Sequence, residues 1–260
     1  MKPPLVVGNW KMHGTQAEAA TLARQILNGG RGIRDVEIVL APPYTALGTV
    51  AAITIDSPIE LAAQNIHWEM EGAFTGEVSP RMVRELGCQY VLVGHSERRH
   101  IFGESDEMAG KKMAAALRSG LMPILCIGET LADRRRGKTN AVIGRQLRAA
   151  LKGLDKNVIE TISIAYEPVW AIGTGQNATP EQVAAVHIRV RALLGRLGGR
   201  QTEGCRILYG GSVRPENAAA LVKAPEVNGL LVGGASLKAE SFLGIVRAYQ
   251  SETVAEPGVG

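Results

Sequence analysis

The stretch that decides the fold is SIAYEPVWAIGTGQNATP, residues Ser163 to Pro180. It opens with an apolar run that lacks polar alternation, which is typical of a parallel strand buried on both faces. The run ends at Glu167 and passes through a glycine-rich turn. Thr179 and Pro180 then match a helix N-cap and the first helical position. The stretch predicts a strand, a loop and a helix in that order.

The same order recurs along the chain. The other apolar runs are LVVGNW from Leu5, VEIVLAP from Val36, IELAAQN from Ile59, YVLVGHS from Tyr90, MPILCIG from Met122, RILYGGS from Arg206 and GLLVGGA from Gly229. Eight such units in 260 residues average about 32 residues, close to the ~30 of a βαβ module and the ~250 of a closed barrel. We predict an α/β protein with a single (β/α)8 barrel domain over residues 1–260. A doubly wound open sheet is the structural alternative.

Helix-capping signals support this reading. TQAE from Thr15 fits a capping box with Glu18, and Gly29 and Gly30 are typical of the helix end. TPEQ from Thr179 repeats the capping pattern. We therefore expect helices to follow the first and sixth strands directly.

Composition and charge narrow the function classes. The chain is 45% hydrophobic and 21% charged, with three cysteines and no CxxC pair, so neither a disulfide framework nor a zinc site is indicated. No apolar stretch approaches the ~18 residues of a membrane span, and the first apolar run is too short for a signal peptide. We predict a cytoplasmic protein without a membrane partner, with a frayed tail at residues 251–260.

The net charge of +4 is spread thinly, which favours an anionic small molecule over nucleic acid. The densest basic run, DRRRGK from Asp133, is typical of a solvated helical turn. We predict no nucleic-acid partner.

Polar side chains follow most of the apolar runs. In a barrel, the carboxyl ends of the strands converge on one mouth, where the chemistry takes place. We expect these residues there: Asn9, Lys11, Gln64, Asn65, His95, Ser96, Glu97, Glu129, Glu167, Ser212, Gly233 and Gly234.

Glycine-rich turns follow the last three runs, as GTG, GGS and GGA. Glycine lets main-chain N–H groups approach an anion, and the loops after strands 7 and 8 form the usual phosphate site of this architecture. GTGQNA, from Gly173, also matches a dinucleotide fingerprint. The next strand lacks the acidic residue that would hold the ribose, so we favour a phosphate-bearing small molecule.

Several motifs resemble the triosephosphate isomerase family in the right order: NWKM, AQN, GAFTGE, VGHSERR, AYEPVWAIGTG, YGGSV and GGAS. The resemblance extends from Gly8 to the last predicted helix. It implies a TIM barrel that interconverts dihydroxyacetone phosphate and D-glyceraldehyde 3-phosphate in glycolysis and gluconeogenesis. No cofactor and no metal would be needed. It also implies a homodimer, in which a loop with Thr75 reaches into the partner's site.

The resemblance also implies site residues. Glu167 would be the general base, His95 the electrophile and Lys11 a catalytic cation. Substrate contacts would come from Asn9, Lys11, Gly173, Ser212, Gly233 and Gly234. We expect Ser96 and Glu97 to support the catalytic side chains without touching substrate.

Elementary chemistry agrees with these roles. Moving a carbonyl by one carbon requires a base that takes a proton next to it, and burial should raise the pKa of Glu167 from about 4.3 toward neutrality. A short helix after His95 should keep its imidazole uncharged at the developing enediolate. The glutamate and neutral histidine of this family are an established example of such tuning. Pro168, Trp170 and the glycines that follow are predicted to form a lid over the phosphate.

Two alternatives stay open. One is another phosphosugar-binding barrel enzyme, although the strand ends lack the His and Asp clusters of a metal-dependent epimerase and a mid-barrel Schiff-base lysine. The other is a catalytically inactive barrel that acts as a binding protein. The chain departs from the commonest family pattern at His13, Gln176 and Asn177, which affects loop contacts and the lid. The remaining histidines, His13, His67, His100 and His187, are predicted to be structural or exposed, and Cys126 a core thiol.

Overall fold

Eight parallel strands pair in chain order and close into a barrel in the computed structural model, which describes residues 2–172 and 177–250 without the side chains of residues 200 and 201. The strands, β1 to β8, span Leu5–Asn9, Glu37–Ala41, Ile59–Ala63, Tyr90–Val93, Met122–Ile127, Ser163–Tyr166, Arg206–Tyr209 and Gly229–Val232. Leu5 of β1 lies opposite both Glu37 of β2 and Gly229 of β8, which closes the ring. The predicted (β/α)8 barrel is confirmed, and the open-sheet alternative is excluded.

Ten α-helices surround the barrel within the described ranges. They are α1 to α10, at Gln16–Gly29, Tyr44–Thr54, Pro80–Glu85, Ser96–His100, Asp106–Arg118, Leu131–Arg135, Thr139–Leu151, Pro180–Gly198, Pro215–Val222 and Ala239–Arg247. Short 3₁₀ helices lie at Lys156–Thr161, Val169–Ala171, Gly199–Thr202 and Gly234–Leu237. None of the helices in these ranges combines the length and hydrophobicity that a bilayer crossing requires.

The predicted capping boxes are confirmed. The Thr15 hydroxyl accepts the Glu18 N–H at 3.3 Å, and the Glu18 carboxylate accepts the Thr15 N–H at 2.8 Å. Thr179 and Gln182 pair in the same way at the start of α8. These caps satisfy amide groups that have no partner within the helix, which fixes where each helix begins after its strand.

Three predictions concern residues outside the described ranges. They are the phosphate contact of Gly173, the lid residue Gln176 and the tail at residues 251–260. The first part of the predicted lid is described, and Val169–Ala171 forms a 3₁₀ turn directly after Pro168.

Both faces of the barrel strands are buried. One cluster fills the interior with Leu5, Val7, Val39, Ala41, Ala62, Tyr90, Leu92, Ile124, Cys126, Ala165, Leu208 and Leu231. Intervening residues such as Val6 and Val91 belong to the larger cluster between strands and helices. Each fully buried Val or Leu side chain contributes about 1.5–3 kcal/mol, so a run without polar alternation is what this layer requires. Cys126 is a core thiol, as predicted, and its burial raises its pKa well above the usual range.

A polar cluster lies at the amino-terminal end of the barrel. Arg206 Nη1 is 2.5 Å from Glu37 Oε2, and its Nη2 donates to the Tyr90 hydroxyl at 2.9 Å. The Tyr90 hydroxyl also donates to Glu37. All three residues stand at the start of a strand, so this cluster fills the end of the barrel opposite the predicted mouth.

His187 of α8 is fully buried beneath the barrel wall. Its Nδ1 lies 3.0 Å from the Glu226 carbonyl, which makes Nδ1 the protonated nitrogen of a neutral ring. Its Nε2 has no hydrogen-bond partner among the described residues. Burial lowers the pKa of His187 to about 4; the Glu226 carbonyl opposes this shift, and the Arg191 charge adds to it.

This arrangement predicts a loss of stability in mild acid. Between pH 6.5 and about 4 the unfolded chain binds a proton at His187 that the folded chain refuses, so stability is full above pH 6.5 and falls by about 3 kcal/mol toward pH 4. His187→Asn retains a donor for the Glu226 carbonyl but does not titrate. Urea unfolding at one protein concentration should therefore show a shallower loss between pH 7 and 5 for His187→Asn. The exposed His100→Asn is the control, and equal slopes in all three proteins would contradict the assignment.

Candidate active site

Glu167 lies immediately after β6 and is only 1% exposed. Its Oε1 is 3.0 Å from His95 Nε2, and its Oε2 accepts the Ser96 N–H at 2.8 Å. Its own N–H donates to the Ile127 carbonyl at 2.8 Å, which continues the strand ladder to β5. The carboxylate is thus held at the mouth of the barrel between an imidazole and the start of α4.

Two glycines make room for this carboxylate. A Cβ on Gly128 would lie 1.8 Å from the Glu167 carbonyl oxygen, far inside contact distance. A Cβ on Gly210 would lie 3.0 Å from Glu167 Cγ. Any side chain at position 128 would therefore displace the backbone that carries the carboxylate.

The short helix predicted after His95 is α4, and His95 is its N-cap. Its Nδ1 accepts the Glu97 N–H at 3.3 Å, so Nδ1 carries no proton in this arrangement. The proton of the neutral ring then sits on Nε2 and points at Glu167, 3.0 Å away. The helix N-terminus selects the tautomer that can donate into the cavity.

The sequence analysis expected a raised pKa for Glu167 and an imidazole kept neutral at His95. Both expected pKa directions are wrong for the arrangement seen here. Burial alone would raise the pKa of Glu167, but the charge and hydrogen bond of His95, the Ser96 N–H and the Lys11 charge together lower it. Burial alone would lower the pKa of His95, but the Glu167 carboxylate, with Glu97 behind it, raises it against the opposing Lys11 charge. Each group stabilises the charged form of the other because they are in direct contact.

Lys11 adopts the left-handed backbone conformation, with φ of 53°. This conformation costs a non-glycine residue about 1–2 kcal/mol, so its surroundings must hold it. The Asn9 side chain accepts the Lys11 N–H at 3.0 Å, and Gln64 donates to the Lys11 carbonyl at 2.8 Å. The amine lies 2.5 Å from Glu97 Oε1. Asn9 and Gln64 thereby hold Lys11 at the mouth in this strained backbone conformation.

A cavity of about 630 Å³ brings most of the predicted site residues together. Of these it is lined by Asn9, Lys11, His95, Glu97, Glu167, Ser212, Gly233 and Gly234. A Cβ on Gly233 would lie 3.4 Å from Lys11 Cε, so the segments that follow the adjacent strands β1 and β8 meet beside the cavity. Ser96 contributes its backbone N–H to Glu167 from behind the cavity wall.

Three further residues predicted at the mouth, like Ser96, do not line this cavity. Glu129 is fully buried, and its Oε1 accepts from Trp170 Nε1 at 3.0 Å and from the Tyr166 hydroxyl at 3.1 Å. Asn65 accepts from Lys112 Nζ at 2.6 Å, and Gln64 bonds the Lys11 carbonyl. Glu129 supports the segment after β6 from within the core, whereas Gln64 and Asn65 line a smaller neighbouring cavity.

Two cationic lining residues, Arg214 and Lys238, were missed by sequence reasoning. The double glycine of the predicted GGS turn, Gly210 and Gly211, also lines the cavity. A Cβ on Gly211 would lie 2.2 Å from the Tyr209 hydroxyl, so no larger side chain fits there. Nothing in the local sequence distinguishes the two cations from other exposed charges.

The fold and the site together define a class. A carboxylate, an imidazole and an amine meet at the carboxyl ends of barrel strands, beside two glycine-rich turns, as in (β/α)8-barrel enzymes of phosphorylated small molecules. Among the described residues, no group of three or more His, Cys, Asp or Glu side chains is placed to hold a metal ion.

The comparisons with known proteins identify the family. The triosephosphate isomerase family model matches residues 4–249. A triosephosphate isomerase from Roseiflexus sp. is 51% identical over 247 residues, which cover 95% of this chain and 97% of the relative. That from Chloroflexus aurantiacus is 49% identical over 251 residues, 96% of this chain and all of the relative. The chain belongs to the triosephosphate isomerase family.

The contact between His95 and Glu167 predicts that replacing His95 changes the pKa of Glu167. His95→Gln retains a donor toward the carboxylate but removes the ring charge, so burial should raise the pKa of Glu167 relative to the wild type. Carbon-13 NMR of glutamate-labelled protein measures this pKa directly. His100→Gln removes an exposed histidine and should leave it unchanged. An unchanged Glu167 pKa in His95→Gln would mean that the imidazole charge does not control the carboxylate.

Proposed function

We propose that this chain interconverts dihydroxyacetone phosphate and D-glyceraldehyde 3-phosphate through an enediol(ate) intermediate, in glycolysis and gluconeogenesis. The observation that carries the proposal is the buried Glu167 carboxylate, 3.0 Å from His95 Nε2, at one side of a cavity that ends in glycine-rich turns. Membership of the triosephosphate isomerase family supports the choice of substrate. No step of the reaction as proposed requires a cofactor.

Glu167 is the proposed base. Both of its oxygens have partners here, His95 and the Ser96 N–H, so the carboxylate must turn from the Ser96 N–H toward the substrate carbon. It then takes a proton from the carbon next to the carbonyl and returns it to the neighbouring carbon, while the hydroxyl proton moves from one oxygen of the enediol to the other. A lowered pKa keeps the carboxylate ionised near neutral pH and therefore ready to accept that proton.

His95 is the proposed electrophile, because it lines the cavity and its Nε2–H, directed at Glu167 here, is the hydrogen-bond donor of the neutral ring. The Glu167 charge raises the pKa of His95 only while the carboxylate is ionised. When Glu167 takes the substrate proton, that charge disappears and the imidazole becomes easier to keep neutral. The ring is then a neutral donor at the moment when the enediolate oxygen develops its charge.

The phosphate end of the substrate is proposed to meet Ser212, Gly233 and Gly234. These residues lie on the turns after β7 and β8 and line the cavity together. Lys11 crosses toward Gly233 and supplies positive charge between this end and Glu167. Asn9 adds an amide on the same side, and Gly173 is proposed to join the phosphate contacts.

The decisive experiment is isomerase activity of the purified chain and of Glu167→Gln, with a metal chelator present throughout. The amide has nearly the shape of the carboxylate but cannot accept the substrate proton. General-base catalysis contributes about 10²–10⁴-fold, so we expect kcat to fall by roughly 10³-fold in a coupled assay with glyceraldehyde 3-phosphate. Circular dichroism melting checks that the variant folds.

Glu181→Gln is the matched control, because Glu181 is exposed on α8 and away from the cavity. It should keep full activity. Near-normal turnover by Glu167→Gln would overturn the base assignment. An inactive wild-type chain that still binds a triose phosphate would instead favour the inactive-barrel alternative.

We also propose that the protein is a cytoplasmic homodimer. A smaller cavity of about 160 Å³ shares Asn9, Lys11, His95 and Glu97 with the larger one. Exposed apolar side chains surround this region, with Met12 93% and Phe102 68% exposed. Exposed apolar groups of this size favour a protein partner. The three cysteines are buried and free, which suits a reducing compartment.

The proposed occupant of the smaller cavity is the loop that carries Thr75 in a second copy of the chain. Thr75 is exposed at the tip of this loop. The loop is braced internally, because the His67 ring packs on Phe74 with centroids 4.2 Å apart and the His67 N–H donates to the Val78 carbonyl at 2.8 Å. A braced loop loses little conformational freedom on docking.

Substitution at the loop tip tests the dimer. Thr75→Arg places a long charged side chain where the smaller cavity has no room for it, so we expect sedimentation velocity to shift the chain to a monomer. Thr21→Arg, on the exposed face of α1, is the control and should sediment like the wild type. A Thr75→Arg dimer as stable as the wild-type dimer would remove the loop from the interface.

A further inference from the structure

Two cations line the outer part of the active-site cavity, beyond the residues that the reaction needs. Arg214 lies in the segment after β7, and Lys238 lies directly before α10. Both side chains are exposed and line the cavity. In the part of the chain that the structure describes, neither forms an ion pair.

The inner cavity carries an unfavourable charge for a phosphate dianion. With His95 neutral, its charged groups are one cation, Lys11, and two anions, Glu97 and Glu167. The single cation is already bound to Glu97 at 2.5 Å. An approaching dianion would therefore meet net negative charge from these groups.

The charged groups of the cavity rim cancel the net negative charge of the inner cavity. Arg214 and Lys238 are cations and Glu216 is an anion, so the rim carries net positive charge and the whole lining becomes neutral. With both cations neutralised, the lining would carry two net negative charges. The approach of a dianion thus depends on the rim.

Each outer cation lies close in the chain to one of the two phosphate turns. The Asn217 side chain accepts the Arg214 backbone N–H at 2.8 Å and donates to the Ser212 carbonyl at 3.0 Å, so it fixes the backbone from which Arg214 extends relative to the turn after β7. Lys238 follows the 3₁₀ helix Gly234–Leu237, which starts at the turn after β8. Each turn that is proposed to contact the phosphate therefore has a cation at its outer end.

We propose that Arg214 and Lys238 together form the cationic entrance that draws the phosphate dianion of the substrate into the cavity. This inference rests on the proposed function, because it assigns the substrate's phosphate to the turns after β7 and β8. Charges on a cavity rim raise the local concentration of an oppositely charged ligand and the rate of its association. The two residues act on association and affinity, and the chemical step stays with Glu167 and His95.

The test measures kcat and kcat/KM for Arg214→Gln, Lys238→Gln and the double variant at several ionic strengths. At ~10 mM salt we expect kcat/KM to fall about 3-fold for each single change and about 10-fold for both, with kcat unchanged. At ~1 M salt, where the Debye length is about 3 Å, the variants should approach the wild type. Glu216→Gln should raise kcat/KM at low salt.

Arg189→Gln is the matched control. It removes the same charge from an exposed position on α8 that does not line the cavity. It should leave kcat/KM and its salt dependence unchanged. An effect as large as that of Arg214→Gln would overturn the proposal, because total charge would then explain the result.

Calorimetric titration with sn-glycerol 3-phosphate separates this inference from the proposed function. The compound carries the phosphate dianion and three carbons but has no carbonyl to isomerise. Weaker, less salt-dependent binding to the double variant supports the entrance, and identical binding to all proteins overturns it. A wild-type chain that binds the compound but does not isomerise triose phosphates would refute the proposed function, and the titration would still decide the role of Arg214 and Lys238.

Discussion

The site depends on the parallel pairing of β8 with β1, which closes the sheet. Because all eight strands run in one direction, closure arranges their carboxyl ends around one cavity. Lys11 after β1 then meets Gly233 after β8, although more than two hundred residues separate them in the chain. In an open sheet, Lys11 and Gly233 would not share a mouth. Closure also brings Lys11, after β1, to 2.5 Å from Glu97, which follows β4.

Much of this architecture could be predicted from the sequence for a physical reason. A parallel strand buried on both faces requires an uninterrupted apolar run, and such runs are visible without structural knowledge. The direction of the next polar side chain is not visible. Glu129 and Glu167 each follow an apolar run, yet Glu129 is buried against Tyr166 and Trp170, whereas Glu167 opens onto the cavity. Which residue of a strand end faces the mouth depends on the twist and neighbours of that strand.

The electrostatics of the site was harder to predict. Sequence reasoning considered the burial of Glu167 and the helix after His95, and each factor by itself shifts a pKa in the expected direction. The 3.0 Å contact between the two side chains outweighs both factors, and no sequence spacing contains that distance. The rim cations escaped notice for a related reason, since Arg214 and Lys238 look like ordinary exposed residues until the cavity between them is seen.

Two glycines of this protein differ in whether their surroundings exclude a larger side chain. At Gly128 a methyl group would overlap the carbonyl oxygen of the residue that carries the carboxylate, so sterics alone dictate the smallest side chain. At Gly195, within α8, the space around the missing Cβ is open, and no neighbour demands its absence. A designer who replaces glycines to stiffen this scaffold would find Gly195 permissive. Gly128 would be intolerant, because there the backbone itself occupies the volume of a side chain.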